Sequence, residues 1–175
     1  MSNTPPRTRI RGIAEDLSVT ALAGYLATKV MEPVSQKLYE LQSERDRAHE
    51  AAARPGPPDR IAAEKLTALV GLQLSEEQLD QAAPVFHYGL AISWAPLYAV
   101  LRRATRLRPV AAGLATGSAM SLLVDELITP AFGFSAPNRE YPLVTHVRGF
   151  AAHLVFGLAL AAITETSWAL CGRRP

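Results

Sequence analysis

A single cysteine, Cys171, in 175 residues leaves no partner for an intramolecular disulfide and excludes a cysteine-only zinc site. The chain also lacks GxGxxG, GxxxxGK(S/T), HExxH and GxSxG, so no motif marks a dinucleotide, a phosphate, a catalytic zinc or a nucleophilic serine. No repeat at a solenoid period is visible. The net charge of +2 is too small for a nucleic-acid binder, and no basic patch is interleaved with aromatics, so no nucleic-acid partner is expected. No cofactor is predicted, and the length suits one domain.

What the chain does have is apolar sequence kept apart from charge. Apolar residues make up 49% and charged residues 19%, an ordinary average, but the charges crowd into 37–80 and a few short clusters. Four runs stand out: "LSVTALAGYLATKVMEPV" (17–34), "APVFHYGLAISWAPLYAVL" (83–101), "PVAAGLATGSAMSLLVDELITP" (109–130) and "VRGFAAHLVFGLALAAITETSWALC" (147–171). Each is near the roughly 20 residues that carry a helix across about 30 Å of hydrocarbon. None alternates with the period of two that marks a half-buried strand. The expected fold is therefore all-α, an integral membrane four-helix up-down bundle forming one domain over 1–175. Residues 35–82 would form an external helical loop between the first and second spans. The competing reading is a soluble bundle with unusually apolar helices, since the first run is only moderately apolar. A cleaved signal peptide fits less well, because Glu15 and Asp16 interrupt the approach to that run and no small-x-small site follows it.

Arginines set the expected orientation. "RRATRLR" (102–108) holds four, the N-terminal tail adds Arg7, Arg9 and Arg11, and the chain ends on Arg173 and Arg174. An even number of spans puts all of them on one side, which the positive-inside rule makes cytoplasmic, with both termini inside. The 35–82 connection, with nine acids against six bases, would lie outside. Within it, 35–53 reads as a helical continuation of the first span, and "RPGPPD" (54–59) stops it. Residues 61–72 form an amphipathic helix that could cap the bundle or lie on the membrane surface. Ser75 and Gln78 have the spacing of a capping box.

Every span then brings ionisable groups to its outer half. Counting about 1.5 Å per helical residue, Glu32, His87, Asp125, Glu126 and His153 lie within roughly 12 Å of the outer face, with Lys29 and Arg148 at the same level. His146 shares a face of the fourth helix with His153. Such groups are costly at that depth and face the interior or a water-filled cavity. The set Lys29, Glu32, His87, Asp125, Glu126, Arg148 and His153 is the candidate site. One use is a proton relay, since histidine titrates near neutrality. Another is a metal site drawn from His87, Asp125, Glu126 and His153. The third is purely structural, with pairs such as Lys29–Glu32–Asp125 and Arg148–Glu126 ordering the helices. Glu165 would pair with Arg102 or Arg103, and Gly113 and Gly117 would let helices pack closely within one protomer. His49 reads as a solvated loop residue.

Four of these stretches carry a family resemblance. They are "IAEDLSVTALAGYLATKVMEPV", "FHYGLAISWAPLYAVLRR", "GLATGSAMSLLVDELITPAFGFSAP" and "RGFAAHLVFGLALA". In order and character they resemble the YagU-like bacterial inner-membrane proteins of unknown function. The most specific element is His153, Phe156 and Gly157 in the last span, followed by Pro130 and Gly133 after the third. The resemblance covers roughly 12–167, and the 35–82 loop matches poorly. It implies a four-span bacterial plasma-membrane protein with no catalytic residues to carry over. Asp125 stands where some members have a histidine or an uncharged residue.

The expected function is that of a structural or accessory envelope protein whose partners are the lipid bilayer and a second copy or another membrane protein. The alternatives are a small proton- or ion-linked transporter or channel, and a membrane metal-binding protein. An enzyme is not the favoured reading.

Overall fold

The computed structural model describes residues 6–172, with side chains from residue 12 onward except that of Ile13. The side chains of Arg7, Arg9 and Arg11, and Arg173 and Arg174, on which the expected orientation partly rests, lie outside the described residues. Among the described residues every regular element is helical. In order these are α1 (Pro6–Glu40), α2 (Glu44–Ala53), α3 (Pro58–Leu69), α4 (Glu76–Trp94), α5 (Pro96–Ala104) and α6 (Pro109–Met120). A π-helical segment (Ser121–Ile128) then runs into α7 (Thr129–Ala131), and after a 3-10 turn (Asn138–Glu140) α8 (Leu143–Leu170) is the last of the described helices.

Local chemistry explains most of the boundaries. Ser43 starts α2 by accepting a bond from the Asp46 backbone N–H at 3.1 Å, so the helix expected to run unbroken through 35–53 is instead interrupted at 41–43. The "RPGPPD" break is shorter than expected, because Pro58 is the first residue of α3, where its missing N–H costs nothing. Ser75 and Gln78 make both bonds of the capping box that opens α4. The run expected as one span over 83–101 is divided between α4 and α5 at Ala95 and Pro96. Among the described residues two helices, Pro109–Ala131 and Leu143–Leu170, are both long and apolar enough to cross a membrane, with mean hydropathies of 1.3 and 1.6. The four-span expectation thus meets that test in its third and fourth members.

The long helices pack antiparallel in the pairs that can be traced. Gly113 and Gly117 of α6 lie against Gly157 and the His153 carbonyl of α8, and a Cβ at any of these glycines would run into the opposite backbone. The two helices therefore touch main chain to main chain. Gly24 of α1 likewise lies close against the Ala91 carbonyl of α4 and the side chain of Ala95 just after it. α1 also lies along α8, and α3 folds back on α4. The shared core is built mostly from alanine, namely Ala23, Ala27, Ala91, Ala95, Ala99, Ala112 and Ala161, around Tyr98, Met120, Val124, Phe156, Leu160 and Trp168.

Candidate functional site: paired ionisable groups at the helix ends

The acids of "SLLVDELI" lie on the π-helical segment, which opens the turn so that the Thr129 N–H reaches back five residues to the Val124 carbonyl. A wider turn brings successive side chains closer in direction than the about 100° of an α-helix. Asp125 and Glu126 can therefore both address α8. Asp125 Oδ2 is 3.2 Å from His153 Nδ1, which also donates to the Gly149 carbonyl at 2.9 Å. Glu126 Oε1 is 2.8 Å from His146 Nδ1. Asn138 completes this second pair: its amide donates to the Glu126 carbonyl at 2.8 Å and to Oε2 at 3.0 Å, while its own carbonyl lies 3.1 Å from His146 Nε2. Both ring nitrogens of His146 thus face oxygens. Two protons must be shared over these contacts, either as imidazolium with carboxylate or as neutral imidazole with a protonated acid.

A separate group joins α1 to α4. Lys29 bonds to the Tyr88 hydroxyl and to Glu32 Oε2, the latter at 3.1 Å, and Tyr88 donates to Glu32 Oε1 at 2.6 Å. The Lys29 ammonium lies 4.5 Å from the centre of the Tyr88 ring. His87 Nε2 stands 3.7 Å from Glu32 Oε1, beyond hydrogen-bond range. Glu32 and His87 also line an open cleft of about 570 Å³ with Met31, Pro33, Ser35 and Gln36.

Arg148 belongs to a third group, and its partner comes from the 35–82 connection. Its Nη2 donates to Glu50 Oε1 at 2.9 Å, and its guanidinium covers the Tyr39 ring at 5.0 Å. Glu50 is only 1% exposed and also accepts from Thr145 at 2.8 Å and from Arg54 at 2.5 Å. Burial opposes its ionisation, but the hydrogen bonds from Arg148 and Thr145 and the charges of Arg148 and Arg54 outweigh this and hold its carboxyl below the usual range.

The opposite end of the helices has its own network. Glu165 accepts from Arg102 at 2.5 Å and from the Tyr98 hydroxyl at 2.8 Å, so Arg102 rather than Arg103 is its partner. Arg103 pairs with Asp16 at 2.6 Å and lies 5.0 Å from the Trp168 ring. These contacts gather the start of α1, the end of α5 and the end of α8.

Of the seven residues named from sequence, Asp125 and His153 are brought into contact, as are Lys29, Glu32 and, more distantly, His87. The suggested pairs of Lys29 or Glu32 with Asp125, and of Arg148 with Glu126, are replaced by other partners, because each helix rotation delivers a nearer one. Among the described residues no three of His, Cys, Asp and Glu converge as a metal-binding group. His87, Asp125, Glu126 and His153 are therefore not gathered into one ligand set: His87 lies beside Glu32 on the α1–α4 side, Asp125 faces His153, and Glu126 faces His146, a residue outside the set. Sequence reasoning missed Glu50, which sits in a charge-rich stretch that reads as solvated. It also gave His146 no partner, although its seven-residue spacing from His153 placed it on the right face. His49 is exposed.

No protein-family model matches the chain, and the searches of curated proteins and of solved structures returned no significant match.

Proposed function

We propose that this chain is a multi-pass membrane protein with a structural or accessory role, its four helical legs α1, α4–α5, α6–α7 and α8 crossing the bilayer up and down, with α2 and α3 outside. The carrying observation is where large and small side chains lie. After Trp168, Tyr98, Phe156 and Leu160, the largest fully buried side chains are Glu50 and the hydroxyl residues Thr20, Thr28, Thr116, Thr164 and Ser121. Leu22, Leu26, Val30, Val110, Leu122, Leu127 and Leu158 are exposed. A water-soluble helical protein places its large aliphatics inside. In a bilayer small residues bring helices together while large ones meet lipid. The two most apolar helices have only 39% and 33% of their best windows buried, which supports the same reading against a soluble core.

The accessory role is supported by closure of the ionisable groups into local pairs, which secure neighbouring helices. The orientation, with both termini cytoplasmic in a bacterial plasma membrane, rests on the arginines of 102–108, and the YagU-like resemblance belongs to this same proposal. The partners would be the bilayer itself and a second copy or another membrane protein. The test is extraction: the expressed protein should stay with membranes through alkaline carbonate and dissolve in mild detergent. Release into the carbonate supernatant would overturn the reading.

The π-helical segment favours one alternative, a proton-linked transporter or channel. Such segments recur at functional sites, and this one presents two carboxylate–histidine pairs to α8. Purified protein in vesicles would then carry a proton flux that Asp125→Asn abolishes. A parent protein without flux removes this alternative. The metal-binding reading has no comparable support.

A further inference from the structure

The turn between α3 and α4 exposes a cluster of large apolar side chains on an otherwise well-fixed element. Leu69 and Val70 are 81% and 72% exposed, and Leu66 and Leu72 are exposed beside them. The turn is firmly built. Gly71, at φ 79°, closes α3 by donating to the Ala68 carbonyl at 3.0 Å, while Leu72 donates to that of Thr67 at 3.0 Å. Arg60, near the start of α3, ties it to the first turns of α4 by bonding to Glu76 and, at 3.0 Å, to Asp80. Apolar exposure here is therefore a property of an ordered surface.

The level of this surface is set by Lys65. Its ammonium donates to the Gly133 carbonyl at 2.9 Å and to that of Phe132 at 3.3 Å, at the end of the helix Pro109–Ala131. Gly133 is at φ 68°, and a Cβ there would lie 2.8 Å from the Lys65 nitrogen, so glycine provides both the turn and the room. Lys65 thus neutralises the carbonyl end of a membrane-length helix. Leu69 lies one turn further along α3 on the same face, roughly 6 Å away at 1.5 Å per residue. The interfacial layer on each side of the hydrocarbon is about 5–7 Å thick. The rise along α3 from Lys65 to Leu69 is thus of the same size as that layer.

We infer that the α3–α4 turn is a membrane-surface anchor, its Leu66, Leu69, Val70 and Leu72 seated in the acyl–headgroup boundary of the leaflet where Pro109–Ala131 ends. The occupant of this surface is lipid, because Lys65 holds the patch at the end of an apolar helix, where Phe132 is also exposed. The inference rests on the membrane-spanning reading proposed above.

Nitroxide accessibility tests the two separately. Leu69→Cys and Leu72→Cys would be spin-labelled in a Cys171→Ser background, with the full chain in phosphatidylcholine–phosphatidylglycerol vesicles. Labels at Leu158 of α8 and Ala52 of α2, both exposed, serve as references for hydrocarbon and water. The ratio of oxygen to water-soluble nickel-chelate collisions should be several-fold higher at 69 and 72 than at 52, approaching the value at 158. If 69 and 72 match 52 while 158 reads as hydrocarbon, the anchor is wrong and the spanning reading stands. If 158 also matches 52, the spanning reading itself fails and the anchor with it. Protection of 69 and 72 from both reagents would mean that a second protein surface covers the turn, and would equally overturn the inference.

Discussion

Replacing Glu50 with Gln is the most informative perturbation, because this buried carboxylate ties α2 to both Thr145 and Arg148 at the start of α8. The amide keeps the shape and can still accept from Thr145 or Arg148, but the charge is lost from a site where Glu50 is 1% exposed. Arg148 would lose its carboxylate partner and keep the Tyr39 ring beside its charge, and its Nη1 already has no hydrogen-bond partner among the described residues. Leaving a buried cation unpaired costs about 3–5 kcal/mol, and the surviving hydrogen bonds argue for the lower end, about 3 kcal/mol. For a chain of this size that corresponds to a fall in Tm of roughly 6–12 °C if the loss is felt globally. If α2 instead undocks alone, the open population rises on the order of 100-fold, and protease cleavage near Arg54–Pro57 accelerates accordingly. Melting in detergent and timed proteolysis read the two cases.

The pH dependence has a definite sign. Because the folded-state carboxyl of Glu50 is held below its ordinary value, its stabilisation is complete above the unfolded value of about 4.3 and is lost as pH falls through the folded one. The gap between parent and Glu50→Gln should therefore be full at pH 7 and close under acid conditions. Glu50→Leu combined with Arg148→Met should recover much of the loss, since an apolar pair can replace a buried ion pair. A Glu50→Gln protein that melts and resists protease like the parent at pH 7 would refute this account.

Other outcomes follow from the same contacts. Asp125→Asn should lower stability by about 1–2 kcal/mol through its His153 contact, and Lys29→Met should not restore it; restoration in the melting curve would show that Lys29 is the true partner. Gly157→Val should prevent the main-chain approach of α6 and α8, costing about 3 kcal/mol or more and broadening the gel-filtration peak; a sharp parental peak would mean that the helices pack elsewhere. Alkaline phosphatase fused after Pro175 should be inactive and inserted near Pro57 active, and the reverse pattern would invert the proposed orientation. In right-side-out vesicles protease should cut first at 54–57, and preferential cutting within 61–82 would mean that α3 and α4 are not packed as described.

Several features were legible from local chemistry alone. Helical character followed from the absence of period-two alternation, the capping box from the Ser75–Gln78 spacing, and the close approach of helices from Gly113 and Gly117. These depend on neighbours in sequence or on steric size, which the chain states directly. Pro96, too, was visible, although the division of 83–101 at that residue was not anticipated. Tertiary structure decided which charge meets which. Helical periodicity assigns Lys29 and Glu32 to one face of α1, yet only the rotation of α4 supplies Tyr88 as their partner. Arg148 takes Glu50, 98 residues earlier, because α2 folds back over α8, a return that no spacing encodes. The π-helical turn under Asp125 and Glu126 is likewise nonlocal: neither "SLLVDELI" nor its neighbours carry a signal for it, and its two acids are paired by histidines on another helix. Pairing strength varies steeply over a few ångströms, so small rotations that leave the apolar pattern unchanged are enough to exchange one ionic partner for another.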